Sequence, residues 1–269
     1  MKSKAHLSKN EIVVICGAVT FVLLCLGAVG AGGRERAKRA VCLNNLKRLT
    51  LAWDRYACDN DERIVNGAPL GREGYADPGT WIHEGEIPWV GRCYHSDYTS
   101  GAPVTEFQKK QAVKRGLLWV YCGNLRLYEC PARYPGEVLN YSIVDGMNGL
   151  ARTDASKRGV FIKHRQDIRQ PGARAVFIDE GWITPDSFAV HYNHAEWWDG
   201  PPGHHADGAT LSFVDGHAEY WKWQSGWTIE LARLGVSRSI KHQTPPWNDV
   251  QAIFDLQRVQ IAVWGGLGY

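Results

Sequence analysis

The chain has 269 residues and a formal net charge of +3, which is enough length for one sizeable domain beside an N-terminal helix. The basic residues are scattered, so a nucleic acid is not an expected partner. Twelve tryptophans and 29 glycines indicate a loop-rich head packed by aromatic side chains. The sequence has no nucleophile elbow, P-loop or dinucleotide fingerprint, so we expect no enzymatic activity and no organic cofactor.

Residues 7–61 read as one long helix. Glu11 follows a short basic head and opens an uncharged apolar run, 12–33, and a bilayer takes about 20 such residues. We therefore predict that residues 1–33 form a basic leader and a membrane-spanning half-helix. A buried core helix is one alternative. The other is a cleaved secretory signal, for which Ala28, Gly30 and Ala31 offer a small-residue cleavage site.

Residues 34–61 continue this helix with an amphipathic pattern. Apolar side chains recur at spacings of three and four residues, which places them in one stripe. The stripe consists of Cys42, Leu46, Leu49, Trp53 and Tyr56. We expect its last four members to be buried against a small sheet.

Residues 62–269 are predicted to form a loop-rich α+β head. The expected elements are a long loop over 66–105, a helix over 105–118, strands over 159–163 and 175–179, a hairpin over 209–223, and a helix over 248–263 with Asn248 as its N-cap.

The hairpin is predicted around Asp215-Gly216, a dipeptide that two-residue turns prefer. That turn would place Val214 opposite His217 and Leu211 opposite Tyr220. The side chains assigned to the core face are then Leu211, Phe213, Ala218 and Tyr220.

Several of these segments resemble one family. They are Glu11 at the start of an apolar helix, the continuation CLNNLKRL, the Y-x-C-P segment at 128–131, His205 separated by nine residues from Asp215-Gly216, and the tail DLQRVQ. Together they resemble the type IV pilin-like, type II secretion pseudopilin-like proteins of Planctomycetes and Verrucomicrobia, which carry an H-X9-DG motif near the C-terminus.

The resemblance implies a pilin-like fold, in which a long N-terminal helix packs on a small antiparallel sheet. It implies a structural subunit of a type II secretion or type IV pilus-like assembly. Its location would be the inner membrane, single-pass, with a cytoplasmic N-terminus and a periplasmic head. Its partners would be membrane lipid and other pilin-like subunits, with Glu11 pairing with a neighbouring subunit's N-terminal amine.

The H-X9-DG motif is interpreted as structural. Ten residue steps at about 3.3 Å each would separate His205 and Asp215 by roughly 25–33 Å in an extended strand. We therefore expect Asp215 and Gly216 to make the turn and His205 to fix the start of the strand.

The resemblance also suggests a disulfide. Cys42 and Cys130 lie in segments that the family shares, and a bond between them would join head to helix. Unpaired, buried thiols are the alternative, because connectivity does not follow from sequence. No cysteines are spaced as CxxC, so a zinc knuckle is not indicated.

Two further hypotheses concern the region after residue 180. Histidines and carboxylates cluster in HYNHAEWWDGPPGHHAD and could hold a divalent metal, with hydrolysis as a remote extension. The candidates are His191, His194, Glu196, His204, His205 and Asp207. The alternative is a polar surface loop. Six nearby tryptophans offer either a glycan-binding platform or core packing: Trp182, Trp197, Trp198, Trp221, Trp223 and Trp227.

Overall fold

The computed structural model describes residues 8–28, 30–69, 86–91, 104–149, 159–181, 187–235 and 240–269. The helices in these ranges are α1 (Lys9–Ala28), α2 (Ala31–Asp59), α3 (Glu106–Arg115), α4 (Trp119–Cys122), α5 (Gly226–Gly235) and α6 (Val250–Trp264). The strands are β1 (Tyr141–Ile143), β2 (Ala175–Asp179), β3 (Trp197–Asp199), β4 (Gly208–Phe213), β5 (Ala218–Lys222) and β6 (Lys241–Gln243).

The N-terminal stretch forms two helices rather than one. Gly30, one of the glycines of the apolar run, has an extended backbone (φ −60°, ψ 176°) and caps the start of α2. Within the described residues, no helix has both the length and the apolar character that crossing a membrane requires. The predictions of a membrane-spanning half-helix and of a single-pass inner-membrane location with a periplasmic head are therefore wrong.

Within the described residues, the head contains two small antiparallel sheets. The larger has the strand order β1-β2-β4-β5, and the smaller pairs β3 with β6. The predicted α+β class with a small antiparallel sheet is confirmed. The predicted pilin-like fold is wrong, because this sheet is not a pilin-like head and α1 is too short and not apolar enough to span a bilayer.

Helix α2 packs on one face of the larger sheet through the predicted stripe. Cys42, Leu46, Leu49 and Trp53 are fully buried, and Tyr56 is half-buried against the same core. A polar contact fixes the docking, since the Thr50 hydroxyl donates to Ser212 Oγ on β4 at 2.7 Å. Burial of a periodic apolar face supplies most of the free energy that holds such a helix.

The β4–β5 hairpin forms where it was predicted, but its register differs by one residue. Ser212 pairs with Ala218, and Phe213 N–H donates to the His217 carbonyl at 3.0 Å. The turn is thus three residues long, with Gly216 in the left-handed region (φ +88°). A one-residue shift moves every β5 side chain to the other face, so Tyr220 lies with Thr210 rather than with Leu211.

Helix α6 covers the opposite face of this sheet. The Arg258 guanidinium lies 3.7 Å from the ring centre of Trp221 on β5, and Arg174 donates to the Val263 carbonyl at 2.9 Å. The predicted C-terminal helix is confirmed, although its N-cap is Asp249, which accepts from Ala252 N–H.

Two predicted elements differ further. The segment 159–163 makes only an isolated bridge at Ile162 instead of a strand. Most of the predicted loop 66–105 lies outside the described residues.

Candidate metal centre

Four side chains with metal-binding atoms converge where α2 meets the larger sheet. Cys42 comes from α2, Cys130 from a turn after a short 3-10 helix, Asp179 from the end of β2, and His205 from the loop before β4. Each offers one ligand atom, and these four atoms lie within 4.8 Å of one another. All four residues are buried. We call this group the junction cluster.

Local structure explains how each side chain reaches the cluster. Cys42 is the first residue of the buried stripe of α2. Side chains alternate between the two faces of the sheet along β2, and Asp179 lies on the face that α2 covers. Asn140 Oδ1 accepts from Cys130 N–H at 2.9 Å and holds the turn. After His205 the chain enters β4 at Gly208. Only glycine fits there, because a Cβ at this position would lie 2.3 Å from the Trp221 carbonyl oxygen.

The distances within the junction cluster suit a tetrahedral ion. Asp179 Oδ2 lies 3.2 Å from Cys42 Sγ and 3.3 Å from His205 Nε2, and that nitrogen lies 3.3 Å from Cys130 Sγ. Ligand bonds of about 2.0–2.3 Å at tetrahedral angles separate ligand atoms by roughly 3.3–3.8 Å. These three distances lie within a few tenths of an ångström of the values for a zinc-sized ion, and all four ligand atoms lie within 4.8 Å of one another.

Two of the ligands have outer partners that fix their orientation. His205 Nδ1 lies 2.9 Å from Glu35 Oε1 on α2, which leaves Nε2 directed into the cluster. Asp179 shares its other oxygen, Oδ1, with His204 Nδ1 at 3.1 Å. A carboxylate behind a ligating histidine is a recurrent feature of protein metal sites.

The two sulfur atoms also have fixed surroundings. Cys42 Sγ lies 2.9 Å from Thr210 Oγ1, and the Tyr141 hydroxyl donates to it at 3.3 Å. Cys130 Sγ accepts from Ala132 N–H at 3.3 Å. Hydrogen bonds of this kind stabilise a thiolate, which is the form that binds metal.

The pKa values of the junction-cluster residues are shifted by their contacts with one another. Burial opposes every ionised form here, yet the His204 imidazolium and the hydrogen bonds from both histidines hold the pKa of Asp179 well below its usual value. Burial alone would lower the pKa of His205, but hydrogen bonds to Asp179 and Cys42 outweigh this effect and raise the pKa to about 11. The hydrogen bond between the two sulfurs raises the pKa of Cys130 and, against burial, lowers that of Cys42.

A divalent ion would replace these protons. Two thiolates and the Asp179 carboxylate carry three negative charges. One dication and the His204 imidazolium, whose pKa Asp179 raises against the effect of burial, would balance them. These charges sum to zero, and the Glu35 carboxylate behind His205 adds one negative charge at a position that is about one-quarter exposed.

The structure divides the predicted metal candidates between two places. His205 belongs to the junction cluster and His204 contacts it through Asp179. His191, His194 and Glu196 form a separate cluster, and Asp207 pairs with Arg233 at 2.8 Å. The sequence analysis missed Asp179 and Glu35. A carboxylate ending the apolar strand AVFID was the available signal for Asp179.

Cys42 and Cys130 are side by side, as the predicted disulfide requires, but both are free thiols in the structure. The disulfide therefore stays a prediction about an oxidised form of the protein. A disulfide and a metal would exclude each other, because both use the same two sulfur atoms.

The other predicted positions have different surroundings. Asp215 lies in the β4–β5 turn and accepts from His217 N–H at 3.1 Å, while His205 is buried in the junction cluster. Glu11 is exposed and accepts from Ser8 N–H at 2.7 Å as part of a capping box.

The tryptophans of the proposed glycan platform are mostly internal. Trp197, Trp221 and Trp223 are buried, and Trp198 and Trp227 are partly buried. Trp182 lies outside the described residues.

Comparison with known proteins adds no relative. No protein-family model, no curated protein and no solved structure matches this chain. The pseudopilin-like resemblance is neither supported nor opposed by these comparisons, and the functional argument depends on the geometry of the junction cluster.

Proposed function

We propose that this chain is a structural metal-binding protein in which one Zn²⁺ ion, held by Cys42, Cys130, Asp179 and His205, fixes helix α2 to the head. The observation that carries the proposal is the meeting of four buried ligand atoms within 4.8 Å of one another. Two sulfur atoms with one nitrogen and one oxygen favour zinc over the hard ions Mg²⁺ and Ca²⁺.

The ligand set supports a structural role rather than a catalytic one. Structural zinc sites have four protein ligands, whereas catalytic sites keep a position open for water or substrate. The junction cluster offers four protein ligand atoms, the number that a structural site uses. They also come from four separate segments, so the ion would join the helix, the Cys130 turn, β2 and the loop before β4.

Metal analysis of the purified full-length protein tests this proposal. We expect one zinc per chain at the junction cluster. After replacement by Co²⁺, we expect a thiolate-to-cobalt charge-transfer band, which only sulfur ligands give. The Cys42→Ser substitution should remove most of this band. Cys58→Ser is the matched control, since Cys58 is an exposed cysteine on the same helix.

Two results would contradict the proposal. One is full-length protein that binds neither zinc nor cobalt with a thiolate band. The other is a Cys42→Ser protein that retains the band at the intensity of the Cys58→Ser control. Circular dichroism of both variants establishes whether the fold is retained before the spectra are compared.

A second candidate function follows from the exposed surface of α1. Its described apolar side chains face outward, with Val13, Val14 and Phe21 each about 70% exposed. Proteins rarely leave such a patch uncovered. We propose that copies of this chain associate through α1, which agrees with the resemblance-based prediction that subunits pack through their apolar helices.

Sedimentation of the full-length protein tests this association. We expect oligomers for the unmodified chain and a shift toward monomer for Phe21→Glu. The control Val120→Glu alters an equally exposed residue on α4 and should leave the oligomers intact. A chain that is monomeric throughout, or oligomers that Phe21→Glu does not weaken, would refute the self-association.

A further inference from the structure

A second group of histidines lies in a tight loop, far in sequence from the junction cysteines. His191 N–H donates to the Glu196 carbonyl at 3.2 Å, and Glu196 N–H donates to the His194 carbonyl at 3.0 Å. From α6, the buried Gln260 amide donates to the His191 and His194 carbonyls at 2.5 and 2.8 Å. The backbone that carries these three side chains is thus fixed before any ligand binds.

The side chains of this loop bring their metal-binding atoms together. His191 Nε2 lies 3.5 Å from Glu196 Oε1, and His194 Nε2 lies 3.4 Å from Glu196 Oε2. The three ligand atoms lie within 4.8 Å of one another. Separations of about 3.4 Å are long for hydrogen bonds but suit neighbouring ligands of one ion bound at about 2.1 Å.

His191 supplies an independent observation. The residue is only 9% exposed, and its Nε2 has no hydrogen-bond partner among the described residues although it is directed toward Glu196. A buried polar atom without a partner is costly and calls for a ligand.

The smaller sheet adds a supporting residue. Its pairing register places His242 on β6 opposite Trp198 on β3, and their ring centres are 4.5 Å apart. His242 Nδ1 lies 3.0 Å from Glu196 Oε1. His242 therefore holds the carboxylate from outside, as an outer partner does in known metal sites.

We propose that His191, His194 and Glu196 form a second divalent-metal site that takes Zn²⁺ or a similar borderline ion. His194 and Glu196 are reached by solvent, so water would complete the coordination and the site would stay accessible from outside. His242 is a positioning residue for Glu196. The proposal does not depend on metal binding at the junction cluster, because the two sites share no ligand.

Calorimetric titration of the full-length chain with Zn²⁺ tests this site. In the Cys42→Ser/Cys130→Ser double variant, which lacks the junction sulfurs, we expect one equivalent of zinc to bind with micromolar affinity. Adding His194→Ala should weaken that binding by more than about 10-fold. Loss of an outer partner alone typically costs about that much, and His194 is a proposed direct ligand. The matched control is His164→Ala, which alters a comparably exposed histidine outside both clusters.

Cobalt provides a second measurement in the unmodified protein, in case the double variant fails to fold. Cobalt at this nitrogen and oxygen site should add weak visible bands without a thiolate charge-transfer band, and His194→Ala should remove that addition. Failure of the junction site would remove only the thiolate band, so the two proposals are tested separately.

The positioning role of His242 has its own readout. We expect His242→Ala to weaken zinc binding by about 10-fold and His242→Gln, which keeps a side-chain donor, to recover part of the loss. The proposed site is refuted if zinc binds at millimolar concentration only, or if His194→Ala binds zinc as His164→Ala does. Equal affinities for His242→Ala and the unmodified chain would refute the positioning role.

Discussion

Replacing Glu35 by alanine is the most selective test of the junction cluster. Glu35 is not one of the four proposed ligands, yet its Oε1 lies 2.9 Å from His205 Nδ1. Its loss should leave all four ligand residues present while removing the contact that orients the His205 imidazole. Because the Glu35 side chain is about one-quarter exposed, the space that its removal opens is reached by solvent.

The expected magnitude follows from the geometry of this contact. Loss of an outer partner usually costs 10- to 100-fold in metal affinity, and each tenfold corresponds to about 1.4 kcal/mol. The Glu35 side chain is about one-quarter exposed, so water can replace part of its contact with His205. We therefore expect the lower end of the range, about a tenfold loss of zinc affinity.

Competition with a chromophoric chelator measures the affinity directly. The matched control is Arg36→Ala, at the adjacent exposed position of α2, which should bind zinc as the unmodified chain does. Zinc should also raise the thermal midpoint of the control more than that of Glu35→Ala, since the stabilisation of the folded state by a ligand grows with the logarithm of its affinity. Zinc affinities within twofold for the two variants would refute the role assigned to Glu35.

Three further predictions concern the fold. The hydrogen bond from Arg165 holds the pKa of Glu62 below its usual value, so Arg165→Ala should destabilise the protein at neutral pH. This difference should shrink as the pH falls through the lowered pKa and Glu62 becomes protonated; urea unfolding across pH tests it. Gly216→Ala, in open space at φ +88°, should cost about 1–2 kcal/mol of unfolding free energy, and no loss would contradict the three-residue turn. Gly116→Ala would place a Cβ 2.0 Å from the Trp89 carbonyl oxygen and should cost about 3 kcal/mol or more; a smaller loss than for Gly216→Ala would refute that close approach.

The periodic parts of the fold were predictable from the sequence. The stripe of α2 repeats every three or four residues, and only a helix places Leu46, Leu49 and Trp53 on one face. The helix break at Gly30 was not predicted, because its position depends on backbone geometry that periodicity does not contain.

The hairpin shows where local pattern becomes insufficient. Asp215-Gly216 correctly located the turn, but two- and three-residue turns use the same dipeptide. Both faces of β4 are buried, so alternation along the strand could not decide the register. Contacts from α2 and α6 decided it, through Ser212 on one face and Trp221 on the other.

The junction cluster could not be predicted from the sequence because its ligands are far apart along the chain. Asp179 lies 137 positions from Cys42, and Cys130 lies 75 positions from His205, so no short spacing motif joins them. Metal-site motifs are recognisable when ligands are close in sequence. Here tertiary packing brings the ligands together, and the histidine-rich segment led the prediction to the surface loop instead.

The position of the junction cluster connects it to the exposed N-terminal helices. Among the described residues of α2, Cys42 is the first one that is buried, and those before it are exposed or partly exposed. The cluster thus lies where α2 leaves the head. Buried charges that only protons neutralise stabilise a protein weakly. A metal that joins four segments would instead hold this part of α2 rigidly against the head. A metal there would therefore set the direction in which α2 leaves the head, which ties the metal site to the proposed contacts of α1.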